Sequence, residues 1–333
     1  MTATIDQVAK KAGVSKATVS RVLNNSKPVS DETRARVIKA IETLDFKPNP
    51  AARTLVSKKS GTIGVVVTDI ANNFVSVLVK SIEDIAYNKG YSICICNSYF
   101  SVKKENELLM MLKDKRVDGI IFLTSGIKDE HKAFFSRANI PVALVNVGHR
   151  GKNIIGIGID NRKAAYDITA YFLNKGLTRV GMIRAPLEDV YSGKERFMGY
   201  CNALEKYSIP YDEKLVKEGV LEAESGYRAA AELCKNGARP EALFVACDLM
   251  AFGAIKAILD HGYRVPEDIE VAGFDDVPMA SYFHPTLTTV RQPIEEMGSL
   301  AAEKLILHIE ENRFDQEEII LPHRIILRES TAK

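Results

Sequence analysis

The chain has 333 residues and a net charge of +2, and is 46% hydrophobic and 26% charged. That composition excludes a fibrous, collagen-like or disordered polypeptide, and the length suffices for two or three domains, each with its own core. Residues 1–60 hold 12 Lys and Arg against 5 Asp and Glu, and the remainder holds 33 against 38. A small basic head on a mildly acidic body fits nucleic-acid binding by the head alone.

In the head, Ile5, Val8, Ala9 and Ala12 recur at i, i+3, i+4 and i+7, one apolar face of a short helix. Gly13-Val14-Ser15 punctuates the pattern. Val19, Val22 and Leu23 then share the face of a second helix, with Ser15 at the N-cap position and Thr18 three residues on. Two short helices around a tight turn describe a helix-turn-helix, and the outward side chains of the second suit the DNA major groove. A third helix begins at Ser30, with Asp31 and Glu32 in its first turn and an apolar stripe of Val37, Ile38, Ile41 and Leu44. Lys47-Pro48-Asn49-Pro50 is a stop signal. The stretch from Ala51 to Ser57 is helix-compatible but too short to be stable alone.

From Thr62 onward, apolar runs such as TIGVVVT, YSICICN, DGIIFL, PVALVNV, RVGMI, ALFVAC and IEVAGF alternate with helical stretches. Near-continuous apolar strands between helices imply parallel sheets covered on both faces. Some 270 residues of this pattern predict two doubly wound lobes, with a ligand held in the cleft at the strands' carboxyl ends. Gly156-Ile157-Gly158 lacks the third glycine of a dinucleotide fingerprint, and close backbone approach at a strand end accounts for it better. Cys94, Cys96, Cys201, Cys234 and Cys247 form no metal-ligand spacing. Cys94 and Cys96 alternate on one strand face, which predicts buried free thiols. The polar N-terminus and the lack of an apolar run of ~18 residues predict a cytoplasmic protein with no membrane span. Esterase, zinc-protease and P-loop signatures are missing, so no catalytic residue, metal or cofactor is expected.

Four stretches, TIDQVAKKAGVSKATVSRVLN, KPNPAARTLVSKKSGTIGVVV, VAGFDDVPMASYFHPTLTTVRQP and LPHRIILREST, resemble the LacI/GalR family of bacterial transcription regulators over nearly the full length. The hinge and the ending look close to its catabolite control protein branch. The resemblance implies a small all-α helix-turn-helix head at 1–46, a hinge helix at 47–60, and an α/β body at 61–333. The body would be like a periplasmic binding protein of type I, two doubly wound parallel-sheet lobes. Its N-lobe would span about 61–160 plus 291–320, and its C-lobe about 161–290 plus a C-terminal strand.

The same resemblance implies a homodimer on a pseudo-palindromic double-stranded DNA operator, acting as a repressor of carbohydrate catabolic genes under a small sugar-like effector. DNA contacts fall on Thr4, Ser15, Lys16, Ala17, Thr18, Ser20, Arg21 and Asn24, and in the hinge on Asn49, Ala52, Arg53, Leu55 and Lys58. Arg21 can pair bidentately with guanine; Leu55 is the wedge for a minor-groove step. Effector contacts fall on Asn73, Phe74, Asp160, Arg196, Cys247 and Asp275. Two departures stand out. Cys247 replaces a usually polar residue, and Glu295 and Glu303 stand where the catabolite control branch docks a phosphorylated carrier protein, which acids would repel. A phosphoprotein corepressor and a DNA-independent solute receptor are the alternatives.

Overall fold

The computed structural model describes residues 3–24, 28–46, 59–146, 154–235, 239–311 and 317–331. The chain forms two compact units, Met1–Ser60 and Gly61–Lys333. Asn49, Ala52, Arg53, Leu55 and Lys58 lie outside the described residues.

The head contains α1 (Ile5–Ala12), α2 (Lys16–Asn24) and α3 (Asp31–Thr43). Thr4 opens α1 with a capping box: the Gln7 amide donates to its hydroxyl, and the Gln7 side chain accepts the Thr4 amide at 2.8 Å. Gly13 ends the helix in the left-handed region, φ 64°, where a side chain would be strained. Val8, Ala9, Ala12, Val19, Val22, Val37 and Ala40 form the core, with Ile5, Leu23, Ile41 and Leu44 packed against it. Ile38 departs from the expected stripe and is exposed. On α3 the core-facing row is Val37 and Ala40, buried, with Ile41 and Leu44 partly so, and residue 38 is rotated about 100° away from residue 37.

The body repeats one topology twice. Strands β1 (Thr62–Val67), β2 (Ser92–Asn97), β3 (Gly119–Leu123), β4 (Val142–Val145) and β5 (Ile154–Ile159) form a parallel sheet in the order 2-1-3-4-5. Helices α4 (Asn73–Asn88), α5 (Val102–Asp114) and α6 (Asp129–Ala138) connect them. After α7 (Asn161–Asn174) the second sheet runs β6 (Val180–Arg184), β7 (Val216–Glu218), β8 (Ala242–Val245), β9 (Glu270–Asp275) and β10 (Thr288–Arg291), again ordered 2-1-3-4-5. Its connecting helices are α8 (Arg196–Lys206), α9 (Ala223–Lys235) and α10 (Asp248–Asp260). The chain then returns. Helix α11 (Ile294–Glu311) packs on α4, β3, β4 and β5, and β11 (Glu317–Leu321) extends the first sheet parallel to β5. Finally β12 (Arg324–Ile326) closes the second sheet antiparallel to β10.

Burial follows the strand period of two. Ile63, Val65 and Val67 point to one core, with Val75, Leu78 and Ile82 of α4. Val66 points to the other, with Leu109 and Leu112 of α5 and Phe134 and Phe135 of α6. Gly156 and Gly158 lie inside β5, paired to both β4 and β11 in the case of Gly156, and not at the strand's end. All five cysteines are free; Cys96, Cys234 and Cys247 are buried, whereas Cys94 and Cys201 are only partly so. Cys94 stays partly open because β2 is the sheet's edge. No helix among the described residues is long and apolar enough to cross a membrane.

Candidate functional site

Two surfaces carry the predicted site residues. On the head, the Thr18 amide donates to Ser15 Oγ at 3.1 Å, so Ser15 caps α2 while its hydroxyl also meets that of Thr18 at 3.0 Å. Burying Val19 and Val22 turns Lys16, Ala17 and Arg21 outward; all three are exposed, and Ser20 is half-buried. Lys16 Nζ lies 2.5 Å from an Asp6 carboxylate oxygen, both side chains open to water. Exposed pairs contribute about 0–1 kcal/mol, so a phosphate can displace Asp6 at small cost. Thr4 is exposed beside this face, whereas the side chain of Asn24 lies outside the described residues.

The second surface is a cleft between the lobes of the body. It lies at the carboxyl ends of the strands and opens to solvent, the place where a doubly wound sheet holds a ligand. The first lobe contributes Thr68 after β1, Asn72 and Phe74 at the start of α4, Thr124 and Ser125 after β3, and Asn146 after β4. The second contributes Asp189 and Ser192 after β6, Arg196, Cys247 after β8, Asp275 closing β9, and Gln292 after β10. The Val190 amide donates to the Ser125 carbonyl at 2.8 Å, tying the two walls together.

Arg196 is the centre of the cleft. Its side chain is 2% exposed, and its guanidinium lies 3.6 Å from the centroid of the Phe274 ring, a desolvated cation–π stack. Nε donates to Asn161 Oδ1 at 2.9 Å, and Nη1 donates to the Ala246 carbonyl. Nη1 also stands 3.8 Å from Asp275 Oδ1. Burial lowers the arginine's pKa against the pull of Asp275 and Asp189. Burial conversely pushes the carboxyl of Asp275 up to about 6, though Arg196 and Gln292 both oppose it.

Asp275 occupies φ 122° and Asp276 φ 59°, backbone that a non-glycine residue seldom adopts. The surroundings hold that turn. Asp248, buried at the start of α10, accepts the Val277 amide at 2.9 Å and the Thr289 hydroxyl at 2.6 Å. Asp276 is held by Arg291 and by Arg328. Gln292 Nε2 donates to Asp275 Oδ1 at 2.7 Å. The strain thus aims one carboxylate into the cleft beside Arg196.

Two expected effector residues fall elsewhere. Asp160 is exposed and caps α7, accepting the Lys163 amide at 2.8 Å, and does not line the cleft. Asn73 gives way to its neighbour Asn72, the N-cap of α4, whose side chain accepts the Phe74 amide at 2.9 Å. Cys247 does line the cleft. Its sulfur accepts the Met250 amide at 3.5 Å, and burial beside Asp275 pushes its thiol well above the ordinary range, so it serves as a neutral cap. Asn161 and Asp189 carry no motif and escape sequence reasoning, though the acid of Asp189 lies close enough to Arg196 in the chain to be suspected; Gln292 lies in the stretch VAGFDDVPMASYFHPTLTTVRQP, where nothing local marks it as a cleft residue.

A helix-turn-helix head and a two-lobed body with a polar cleft define the class of DNA-binding transcriptional regulators with an effector domain. Residues 4–49 match the bacterial regulatory proteins of the lacI family, and 169–331 match the periplasmic binding protein-like domain. The chain is 38% identical to Catabolite control protein A of Streptococcus mutans serotype c, over 99% of this chain and 98% of that protein. It is 36% identical to the HTH-type transcriptional repressor PurR of Proteus mirabilis, over 99% and 97%. The crystal structure of the lac repressor dimer bound to operator and the anti-inducer ONPF superposes with a TM-score of 0.89 at 29% identity, covering 100% of both chains. The chain belongs to the LacI family of bacterial regulatory proteins.

Proposed function

We propose that this protein is a homodimeric repressor of carbohydrate catabolic genes, and that a small sugar-like molecule in the cleft controls its grip on a pseudo-palindromic operator. The observation that carries the DNA-reading half is α2, which buries Val19 and Val22 and leaves Lys16, Ala17 and Arg21 outward. In this reading Arg21 pairs with guanine, Ala17 packs on a thymine methyl, and Lys16 meets a phosphate or a base edge. Thr4, Ser15, Thr18, Ser20 and Asn24 set the helix against the backbone. The segment at 47–60 is the switch: when it coils, Leu55 opens a minor-groove base step, Arg53 and Lys58 lie near phosphates, and Asn49 and Ala52 add further DNA contacts.

Phe74, Arg196, Cys247 and Asp275 form the effector site, with Asn72 in place of Asn73. Glu295 and Glu303, both exposed on α11, favour a small molecule over a phosphoprotein, because phosphoserine there would meet like charge. The test is selection from a randomised duplex pool followed by anisotropy titration of the winning sequence. A palindromic winner is expected, with affinity falling steeply as salt rises. Salt-independent binding, or no sequence preference, would overturn the reading.

A further inference from the structure

The cleft is poor in positive charge. Arg196 is the one cation among the described residues lining it, and two of its N–H groups are already committed to Asn161 and the Ala246 carbonyl. Against it stand two carboxylates. Asp275 lies 3.8 Å away. Asp189 is 8% exposed and accepts the amides of Tyr191 and Ser192 at 3.1 and 2.8 Å. Those two bonds anchor its Oδ1 at the first turn leading into α8, on the same wall as Arg196.

We infer that the effector is an uncharged polyhydroxylated molecule, a neutral sugar, and that Asp189 is the residue that turns away sugars bearing a phosphate or a carboxylate. The inference rests on the cleft being the effector site. Carboxylates only accept hydrogen bonds, so a ligand that meets both Asp189 and Asp275 must bring O–H or N–H donors. Each hydroxyl of a sugar supplies one. A phosphate dianion supplies none and would face the carboxylates of Asp189 and Asp275, both buried, where charge repulsion is less screened than at an open surface. Burial already holds the Asp189 carboxyl above its ordinary range, and a second anion on that wall would raise it further. The apolar faces of Phe74 and Phe100, both lining the cleft, suit the C–H face of a sugar ring.

The full chain is titrated by calorimetry with glucose, galactose, ribose and maltose. Glucose 6-phosphate, galactose 6-phosphate, ribose 5-phosphate and gluconate are titrated in parallel. At least one neutral sugar should bind, and at least about tenfold more tightly than its charged counterpart, as like-charge juxtaposition predicts. Asp189→Asn keeps an oxygen for the Tyr191 and Ser192 amides; there the preference should shrink by about tenfold or vanish. Asp189→Glu should retain it. A charged probe that binds more tightly than its parent, a neutral panel that does not bind at all, or a folded Asp189→Asn with an unchanged preference would overturn the proposal. Should Asp189→Asn fail to fold, the wild-type ratio decides alone. Arg196→Lys separates the two levels of the argument. Neutral-sugar binding that ignores this change removes the cleft as the site and the proposal with it. Tight, Arg196-dependent binding of a charged probe removes only the claim about charge.

Discussion

Asn161 Oδ1 accepts the Nε–H of Arg196 at 2.9 Å, while its own amide nitrogen reaches Asn146 Oδ1 at 3.4 Å. Asn161 begins α7 in the second lobe and Asn146 follows β4 in the first, so one side chain links the central arginine to the opposite wall. A hydrogen bond to a charged group contributes about 1.5–3 kcal/mol. Asn161→Ala should therefore weaken cleft ligands by roughly 10–100-fold in calorimetry. An unchanged affinity would mean that Arg196 is oriented by its other contacts alone.

The acid Asp275 gives a pH signature. Its folded-state pKa is pushed up to about 6 from an ordinary 3.8, so the folded protein binds this proton more tightly than the unfolded chain. Its contribution to stability is then greatest at and below about pH 4 and declines as pH rises towards about 6, above which it is flat. Other acids titrate in the same window, so the informative quantity is the unfolding free energy of wild type minus that of Asp275→Asn. That difference should fall between about pH 4 and 6 in denaturant titrations. A difference that rises with pH would reverse the assigned shift.

Helices α9 and α10 pack through glycine. A Cβ on Gly253 would stand 1.9 Å from the Ala223 carbonyl oxygen, and one on Gly226 would stand 2.1 Å from that of Met250. Backbone on both sides cannot yield cheaply. Gly253→Ala should cost about 3 kcal/mol, read as a lowered denaturation midpoint. At Gly262 nothing lies within 4 Å but φ is +80°, so the alanine there should cost only about 1 kcal/mol. Equal losses at both positions would argue against the close helix contact.

On the head, Ser15→Ala and Arg21→Ala should separate folding from reading. Ser15 caps α2, and losing a cap costs about 1 kcal/mol of stability. Arg21 is exposed, so Arg21→Ala should leave thermal stability unchanged while removing about 1–3 kcal/mol of discrimination at one base pair in each half-site. Measuring both variants against single-base operator changes checks this. A uniform loss across all sequences would make Arg21 a phosphate contact.

Much of this was legible without coordinates. Period 3.6 places Val8, Ala12, Val19 and Val22 in the head core, and apolar runs mark most of the two sheets, because both signals are local. Arg196 and Asp275 sit in recognisable motifs. The errors come from contacts that are remote in sequence or from a single step of phase. Ile38 is one residue off the buried row, and Asn73 stands beside Asn72, the residue that lines the cleft. Asp160 ends a strand at the right level but spends its carboxylate on α7. Asn161 meets Arg196 across 35 residues and Gln292 meets Asp275 across 17, separations at which no periodicity speaks. The short β7 and the antiparallel β12 take their places from tertiary pairing and carry little pattern of their own.

Coupling between cleft and DNA tests the account most directly. Operator affinity of the full chain is measured by anisotropy with and without a saturating neutral sugar, and sugar affinity by calorimetry with and without the operator duplex. The account predicts that each ligand changes the other's affinity by the same factor, within about 5–150-fold, because binding linkage is reciprocal. It further predicts that Arg196→Lys weakens the sugar's effect. A sugar that fills the cleft while operator affinity stays constant would contradict it.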